Sequence, residues 1–178
     1  MRRVLCGVAA GLMMSVFTTN AFAQAEGKSR RDGELYGLLQ VGVTTGDASD
    51  PSEPKLALGA DFGEAINQRV DVYLSGGWQE EVLPGLRDTL HLTSGVKFML
   101  SRGTVRPYLL AGAGVMRFRV TEGAPISDKN KFLGEVGAGL AFPVGTNGYV
   151  DVAYRYYKPY NFPDFTPNGV FAGFGFRY

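Results

Sequence analysis

The feature that most constrains this chain is an alternation of period two that recurs in eight segments. They lie at about 34–44, 55–62, 69–78, 89–100, 105–120, 131–142, 149–157 and 169–178. A strand turns successive side chains to opposite sides, so each segment reads as a strand with two faces. In the third, Val70, Val72, Leu74, Gly76 and Trp78 share one parity, and Asp71, Tyr73, Ser75 and Gly77 the other. The fourth sets Leu90, Leu92, Val96 and Phe98 against His91, Thr93, Gly95 and Lys97. The sixth sets Phe132, Val136, Ala138, Leu140 and Phe142 against Glu135, Gly137 and Gly139. The seventh sets Val150, Val152, Tyr154 and Tyr156 against Asp151, Ala153 and Arg155; the eighth sets Val170, Ala172, Phe174, Phe176 and Tyr178 against Gly173, Gly175 and Arg177. The fifth is apolar on both faces, with Tyr108, Leu110, Met116 and Phe118 on one and Leu109, Ala111, Ala113 and Val115 on the other, so parity leaves its orientation open.

One face is thus bulky and apolar, and the other carries isolated charges among glycine and alanine. A soluble ligand-binding barrel needs the reverse. Small residues between charges suit the crowded lumen of an eight-stranded barrel, whose interior holds side chains but no channel. In lipid every backbone polar group must be paired, and strands achieve that only by closing on themselves. Glycine, 25 of 178 residues, stands at about twice its usual share, which also argues against a helical domain. Connections at 45–54, 79–88, 121–130 and 158–168 are long and polar, whereas those at 63–68, 101–104 and 143–148 are short and rich in turn residues. The expectation is an all-β, eight-stranded, antiparallel up-and-down transmembrane β-barrel, with short periplasmic turns and longer extracellular loops. Aromatics near segment ends (Tyr36, Trp78, Phe98, Phe118, Phe132, Phe142, Tyr149, Tyr157) are expected to mark the two membrane interfaces.

The first residues read differently. Arg2 and Arg3 precede an uncharged apolar run of fourteen residues, 4–17, followed by Ala21-Phe22-Ala23. That run is too short for a membrane helix but fits a secretory leader with a small-x-small cleavage site. The expected organisation is a signal peptide at 1–23, a flexible lead-in at 24–33 and the barrel domain at 34–178. Cleavage leaves 155 residues without a cysteine, because Cys6 leaves with the leader, and a net charge of −1. So balanced a charge excludes a general nucleic-acid binder, and the lack of cysteine excludes disulfides and thiolate metal sites.

Three stretches, Arg106-Pro107-Tyr108-Leu109-Leu110-Ala111-Gly112-Ala113-Gly114, Val150-Asp151-Val152-Ala153-Tyr154-Arg155-Tyr156 and Phe174-Gly175-Phe176-Arg177-Tyr178, resemble the OmpA/OmpX-like family of eight-stranded outer-membrane β-barrels. The likeness covers about 34–178. It implies an outer-membrane location and an assembly signal at Phe174, Phe176 and Tyr178 that the barrel-assembly machinery reads; Tyr stands at the end where Phe is commonest. It does not choose among the structural, adhesive and lipid-modifying roles found in such families.

A lipid A deacylase is the natural enzyme for a barrel of this size, and the resemblance implies that such enzymes carry His-x-Ser-Asn facing the lipid. Here the order is His91-Leu92-Thr93-Ser94. Ser94 falls on the opposite face from His91, and Thr93 shares a face that points inward. No catalytic, cofactor-binding or metal residue is assigned, and His91 reads as a luminal side chain among polar groups. The inward charges Asp61, Asp71, Lys97, Glu135, Asp151, Arg155 and Arg177 are expected to form a luminal network, with Arg155 and Arg177 as hubs. The loop acids Asp47, Asp50, Glu53, Glu80, Glu81, Asp88, Glu122, Asp128 and Asp164 read as a solvated rim, without the spacing of a calcium loop. Tyr157, Tyr160, Phe162 and Phe165, stiffened by Pro159 and Pro163, form a candidate loop-binding surface. The expected function is a non-enzymatic outer-membrane protein with a structural or adhesin-like role, a lipid A-modifying hydrolase and a small channel being the rival classes. Its expected partners are outer-membrane lipid and lipopolysaccharide, the assembly machinery and an extracellular ligand of the loops, with no nucleic acid and no cofactor; the chain is expected to be a monomer.

Overall fold

The computed structural model of the chain describes residues 32–45, 54–80, 86–120, 129–161 and 166–178. The expected signal peptide therefore lies outside the described residues, while the end of the lead-in is tied down: the Gly33 N–H donates to the Ala65 carbonyl at 2.7 Å.

Eight strands follow in order: β1 (Leu35–Thr45), β2 (Lys55–Ala65), β3 (Val70–Glu80), β4 (Leu86–Met99), β5 (Arg106–Val120), β6 (Lys129–Val144), β7 (Gly148–Pro159) and β8 (Asn168–Arg177). Each pairs antiparallel with its neighbours in sequence, and β8 pairs with β1 from Tyr36↔Arg177 to Thr45↔Asn168, closing the barrel. Following directly paired residues around the circumference leads from Leu35 through Glu64, Val72, Val96, Ala111, Val136, Tyr156 and Asn168 to Thr45. That circuit climbs ten residues along β1. For strands about 4.8 Å apart with a rise of about 3.3 Å per residue, it corresponds to a tilt of about 40°. The shortest strand has ten residues, enough to cross a hydrocarbon core at that tilt.

The usual relation between apolarity and burial is inverted. Leu39 and Phe132 are each 70% exposed, whereas Asp61, Glu135, Arg155 and Lys97 are exposed by 3% or less. A belt of Leu, Val and Phe that no protein atom covers is a surface for lipid, and water would penalise it by about 25 cal/mol per Å². Val72, Leu92 and Phe174 face outward and Val152 is half-buried on the same side; Asp71, Lys97, Glu135 and Arg155 face inward.

The structure decides the orientation of β5. Tyr108, Leu110, Met116 and Phe118 fill the lumen, and Leu109, Ala111, Ala113 and Val115 face outward. Four of the eight aromatics expected at the interfaces, Tyr36, Phe118, Tyr149 and Tyr157, are instead buried inside. The reason is steric: each large inward ring needs an empty place on the next strand, and glycine supplies it. Tyr108 lies over its paired Gly139, where a Cβ would sit 2.5 Å from the ring's Cζ. Tyr36 over Gly63, Tyr149 over Gly175 and Phe171 over Gly42 repeat the arrangement. The high glycine content is therefore a packing requirement of a narrow lumen.

Connections at one end span 66–69, 100–105 and 145–147, and at the other 46–54, 81–85, 121–128 and 160–167. The second outer connection is half its expected length, because the β3–β4 ladder continues to Glu80↔Asp88. Asp88, read from sequence as a rim residue, is buried and meets Arg119 Nε at 3.7 Å. The remaining rim acids other than Glu80 lie outside the described residues.

Candidate functional site

The lumen is layered. Toward the short turns lies an apolar cluster of Tyr36, Leu38, Tyr73, Met99, Tyr108, Leu110, Ala141, Tyr149 and Ala153. Toward the loops lies a second, of Ala57, Met116, Phe118, Leu133, Tyr157 and Phe171. Between them strands from all round the barrel contribute one ionic layer.

Arg155 on β7 is its hub. Its Nη2 donates to Asp61 Oδ2 on β2 at 2.6 Å, and its Nη1 donates to Glu135 Oε1 on β6 and Ser75 Oγ on β3, both at 3.0 Å. Lys97 Nζ on β4 donates to the same Asp61 Oδ2 at 2.8 Å. Glu135 Oε2 accepts from Thr93 Oγ1 at 2.6 Å and from the Tyr73 hydroxyl at 3.1 Å. Two carboxylates and two cations thus balance; Arg155, Asp61 and Glu135 each hydrogen-bond to more than one partner and Lys97 to Asp61, which is what makes burial of charge tolerable. The Lys97 ammonium also lies 5.1–5.5 Å from the ring centres of Tyr36, Tyr73 and Tyr108, an arrangement of favourable cation–π contacts. Parity places Arg155 and Glu135 inward, but only closure brings β7 beside β2 and β3 across the lumen.

The other inward charges take different places. Asp151 Oδ1 accepts from the Tyr108 hydroxyl at 2.8 Å and from Gln40 Nε2 at 3.4 Å. Asp71 is buried directly opposite Lys97 in the β3–β4 register. Arg177 is not a hub: it is half-buried at the turn end, its guanidinium carbon 4.8 Å from the Tyr149 ring centre. It sits on the last residue of the closing strand, below the level of the ionic layer. Sequence reasoning left out Arg106, which is buried and donates from Nε to the Gly103 carbonyl at 3.3 Å. Its parity with Tyr108 was the available signal, hidden while β5 had no assigned face. Tyr73, Ser75, Thr93 and Gln40 were also missed as members, since nothing in their spacing announces contacts across the lumen.

His91 is buried, with its ring centre 4.9 Å from that of Tyr157 and the planes inclined at 45°. Ser94 faces outward and the Thr93 hydroxyl is engaged with Glu135, so neither is arranged as a nucleophile beside His91. Among the described residues no three His, Cys, Asp or Glu side chains are grouped as metal ligands.

One family model, outer membrane protein beta-barrel domain, matches residues 9–178. The chain belongs to this family. Among solved structures, this outer membrane protein is similar to Neisserial surface protein A (18% identity, 83% of this chain and 100% of that one, TM-score 0.69). It is also similar to the N-terminal β-barrel domain of OprF from Pseudomonas aeruginosa (14%, 84% and 100%, TM-score 0.65). A third is Ail, the attachment invasion locus protein of Yersinia pestis (20%, 83% and 100%, TM-score 0.54). A comparison with curated protein sequences gave no match.

In this barrel the expected assembly residues Phe174, Phe176 and Tyr178 share the outward face of the closing strand, and the Tyr178 N–H donates to the Leu35 carbonyl at 2.9 Å. The expected loop-binding surface is divided. Tyr160 is 70% exposed, but Tyr157 is a luminal residue with 1% exposure, and Phe162 and Phe165 lie outside the described residues. Tyr157 turns inward because it lies an even number of residues from Arg155, so a ring counted with the loop belongs to the barrel's inner face.

Proposed function

We propose that this outer-membrane barrel is a non-enzymatic surface protein whose role is structural or adhesin-like and is exercised by its extracellular end. The observation that carries the reading is the ionic layer: Arg155, Asp61, Glu135 and Lys97 join four strands across the lumen within 3.0 Å. A lumen so filled favours neither a steady pore nor an interior ligand, which leaves the loops and the lipid face for recognition. The inward, ring-packed His91 and the outward Ser94 weigh against a deacylase-type site. Of the similar barrels, one is a surface protein and another an attachment invasion locus protein by name, and the likeness in fold lends the reading support. Export through the 1–23 leader, insertion by the assembly machinery through the C-terminal strand, and a monomeric state complete the proposal.

The test is expression in a Gram-negative strain that lacks its own small barrels. Cells are scored for adhesion to immobilised matrix glycans and proteins, and their lipid A is analysed by mass spectrometry. Adhesion above the empty strain, abolished when 46–54 and 121–128 are replaced by Gly-Ser turns in a barrel that still shows heat-modifiable migration, is expected. A change in lipid A mass that disappears in His91→Ala would replace this reading with the hydrolase.

A further inference from the structure

The turn end of the lumen carries charges that the ionic layer does not use. Glu34, Arg106 and Arg177 share the parities of the inward Tyr36, Tyr108 and Gly175, so all three point into one mouth. Arg106, at the start of β5, is 4% exposed, and its Nε donates to the Gly103 carbonyl of the adjoining turn. Arg177, at the end of β8, packs on the Tyr149 ring, a contact that orients the guanidinium and takes none of its N–H groups. Arg177 pairs directly with Tyr36, so Glu34, two residues earlier on the same face, is its diagonal neighbour and within reach of a long side chain. Arg177 and Glu34 are also the charges that act on Arg106 across the mouth.

Neighbours of opposite sign ordinarily pair, and these two do not. Among the described residues Arg177 has a ring beside it but no carboxylate in ion-pair contact, and Glu34 Oε2 is buried without a hydrogen-bond partner. The mouth thus holds unused donors on β8 and an unused acceptor next to β1, and a guest that carries both an acceptor and a donor would satisfy them. Charge narrows the choice. Two guanidinium groups and one carboxylate leave a single positive charge, which a carboxylate neutralises and a phosphate dianion overshoots. A carboxylate with an amide N–H close beside it is the end of a peptide chain. Only an end can enter, because Tyr36, Met99, Tyr108 and Tyr149 fill the lumen just above.

We propose that the turn-end mouth captures the C-terminal carboxylate of a periplasmic peptide, Arg177 and Arg106 engaging the carboxylate while Glu34 accepts from the last amide N–H. The site rests on the orientation of the barrel, with its short turns in the periplasm. It lies at the opposite end from the loops and is independent of any adhesive role they have.

The test uses the refolded full-length barrel in nanodiscs and the dipeptide acetyl-Ala-Ala, as free acid and as C-terminal amide, with binding read by isothermal titration. The free acid should bind about tenfold or more tightly than the amide, and more tightly than inorganic phosphate at the same ionic strength. Arg177→Gln should weaken the free acid by about tenfold, the loss expected for a charged hydrogen bond. Its side chain holds no ion pair with a described residue, so the variant should keep heat-modifiable migration. Glu34→Gln, which leaves two positive charges in the mouth, should shift the preference toward phosphate. Arg69→Gln/Arg102→Gln in the exposed turns should leave the affinity as it is. The L and D forms of the dipeptide separate a protein terminus from a wall peptide as the source. Equal binding of acid and amide overturns the proposal, as does an affinity for the acid that survives Arg177→Gln. A wild-type barrel that prefers phosphate, or that binds neither probe, overturns it as well.

Discussion

Among single side chains, Arg155 holds two carboxylates at once, Asp61 at 2.6 Å and Glu135 at 3.0 Å. Without it Asp61 keeps Lys97, but Glu135 is left with only the hydroxyls of Tyr73 and Thr93. Stranding a buried charge costs about 3–5 kcal/mol, whereas removing both partners is often close to neutral. Arg155→Ala is therefore expected to lower the urea-unfolding free energy of the refolded barrel by that amount, and Arg155→Ala/Glu135→Gln by less. A double variant as unstable as the single one would show that Glu135 does not depend on Arg155. Two glycines of β6 offer a second comparison. A Cβ on Gly139 meets the Tyr108 ring, while one on Gly134 meets nothing closer than 3.8 Å. Gly139→Ala should thus cost about 1–3 kcal/mol by overpacking, and Gly134→Ala should leave the same unfolding midpoint within about 0.5 kcal/mol. These residue-level costs were illegible in the sequence. Parity places Gly139 on the inward face with Glu135 and Gly134 on the outward face with Phe132, but only the register shows that Gly139 lies under the Tyr108 ring.

Among the elements, β5 shows where periodicity stops informing. Its two faces are both apolar, and the decision falls to volume: Tyr108, Leu110, Met116 and Phe118 lie inward over Gly139, Gly137, Lys131 and Lys129 in the β5–β6 register. Glycine on the neighbouring strand leaves room for the two bulky side chains at the turn end. Single cysteines carrying spin labels at Leu109, Ala111 and Val115 should accordingly be quenched from the lipid phase, while labels at Leu110 and Met116 should not. Quenching at Leu110 and Met116 in place of the first set would mean that β5 slips by one residue, since such a slip sends every side chain to the other face. For β3, β4, β6, β7 and β8 the assignment was legible at once, because a charge among small residues and a run of Val, Leu and Phe cannot exchange places in lipid. Strand ends were less so: Leu86 and Asp88 of β4 continue a ladder past the polar residues that suggest a loop.

For the whole molecule, closure is the cooperative event. β8 pairs with both β7 and β1, and its outward Phe174, Phe176 and Tyr178 lie on the seam. Phe176→Ala/Tyr178→Ala is expected to reduce heat-modifiable barrel in outer-membrane fractions by about tenfold, a loss of about 1.4 kcal/mol in the folded-to-unfolded balance. Normal migration of that variant would remove the assembly role from these residues. The same closed barrel, with an apolar cluster above and below its ionic layer, should show no steady conductance in planar bilayers. Large, stable single-channel steps from the purified protein would refute the plug and favour the channel.

The sequence alone determined the barrel, its strand number and its lipid face, because these depend on a local rule: side chains alternate along a strand, and hydrocarbon rejects charge. It also identified most of the inward charges. Which of them meet was decided only by tertiary structure. The ten-residue stagger of the closed sheet sets Arg155 beside Asp61, ninety-four positions away, and leaves Arg177 outside the layer. The pairing of β5, β6 and β7 likewise brings Lys158, Gly134 and Ala113 into one row on the lipid face. Contacts of that kind depend on register around the whole circumference, which no single segment contains.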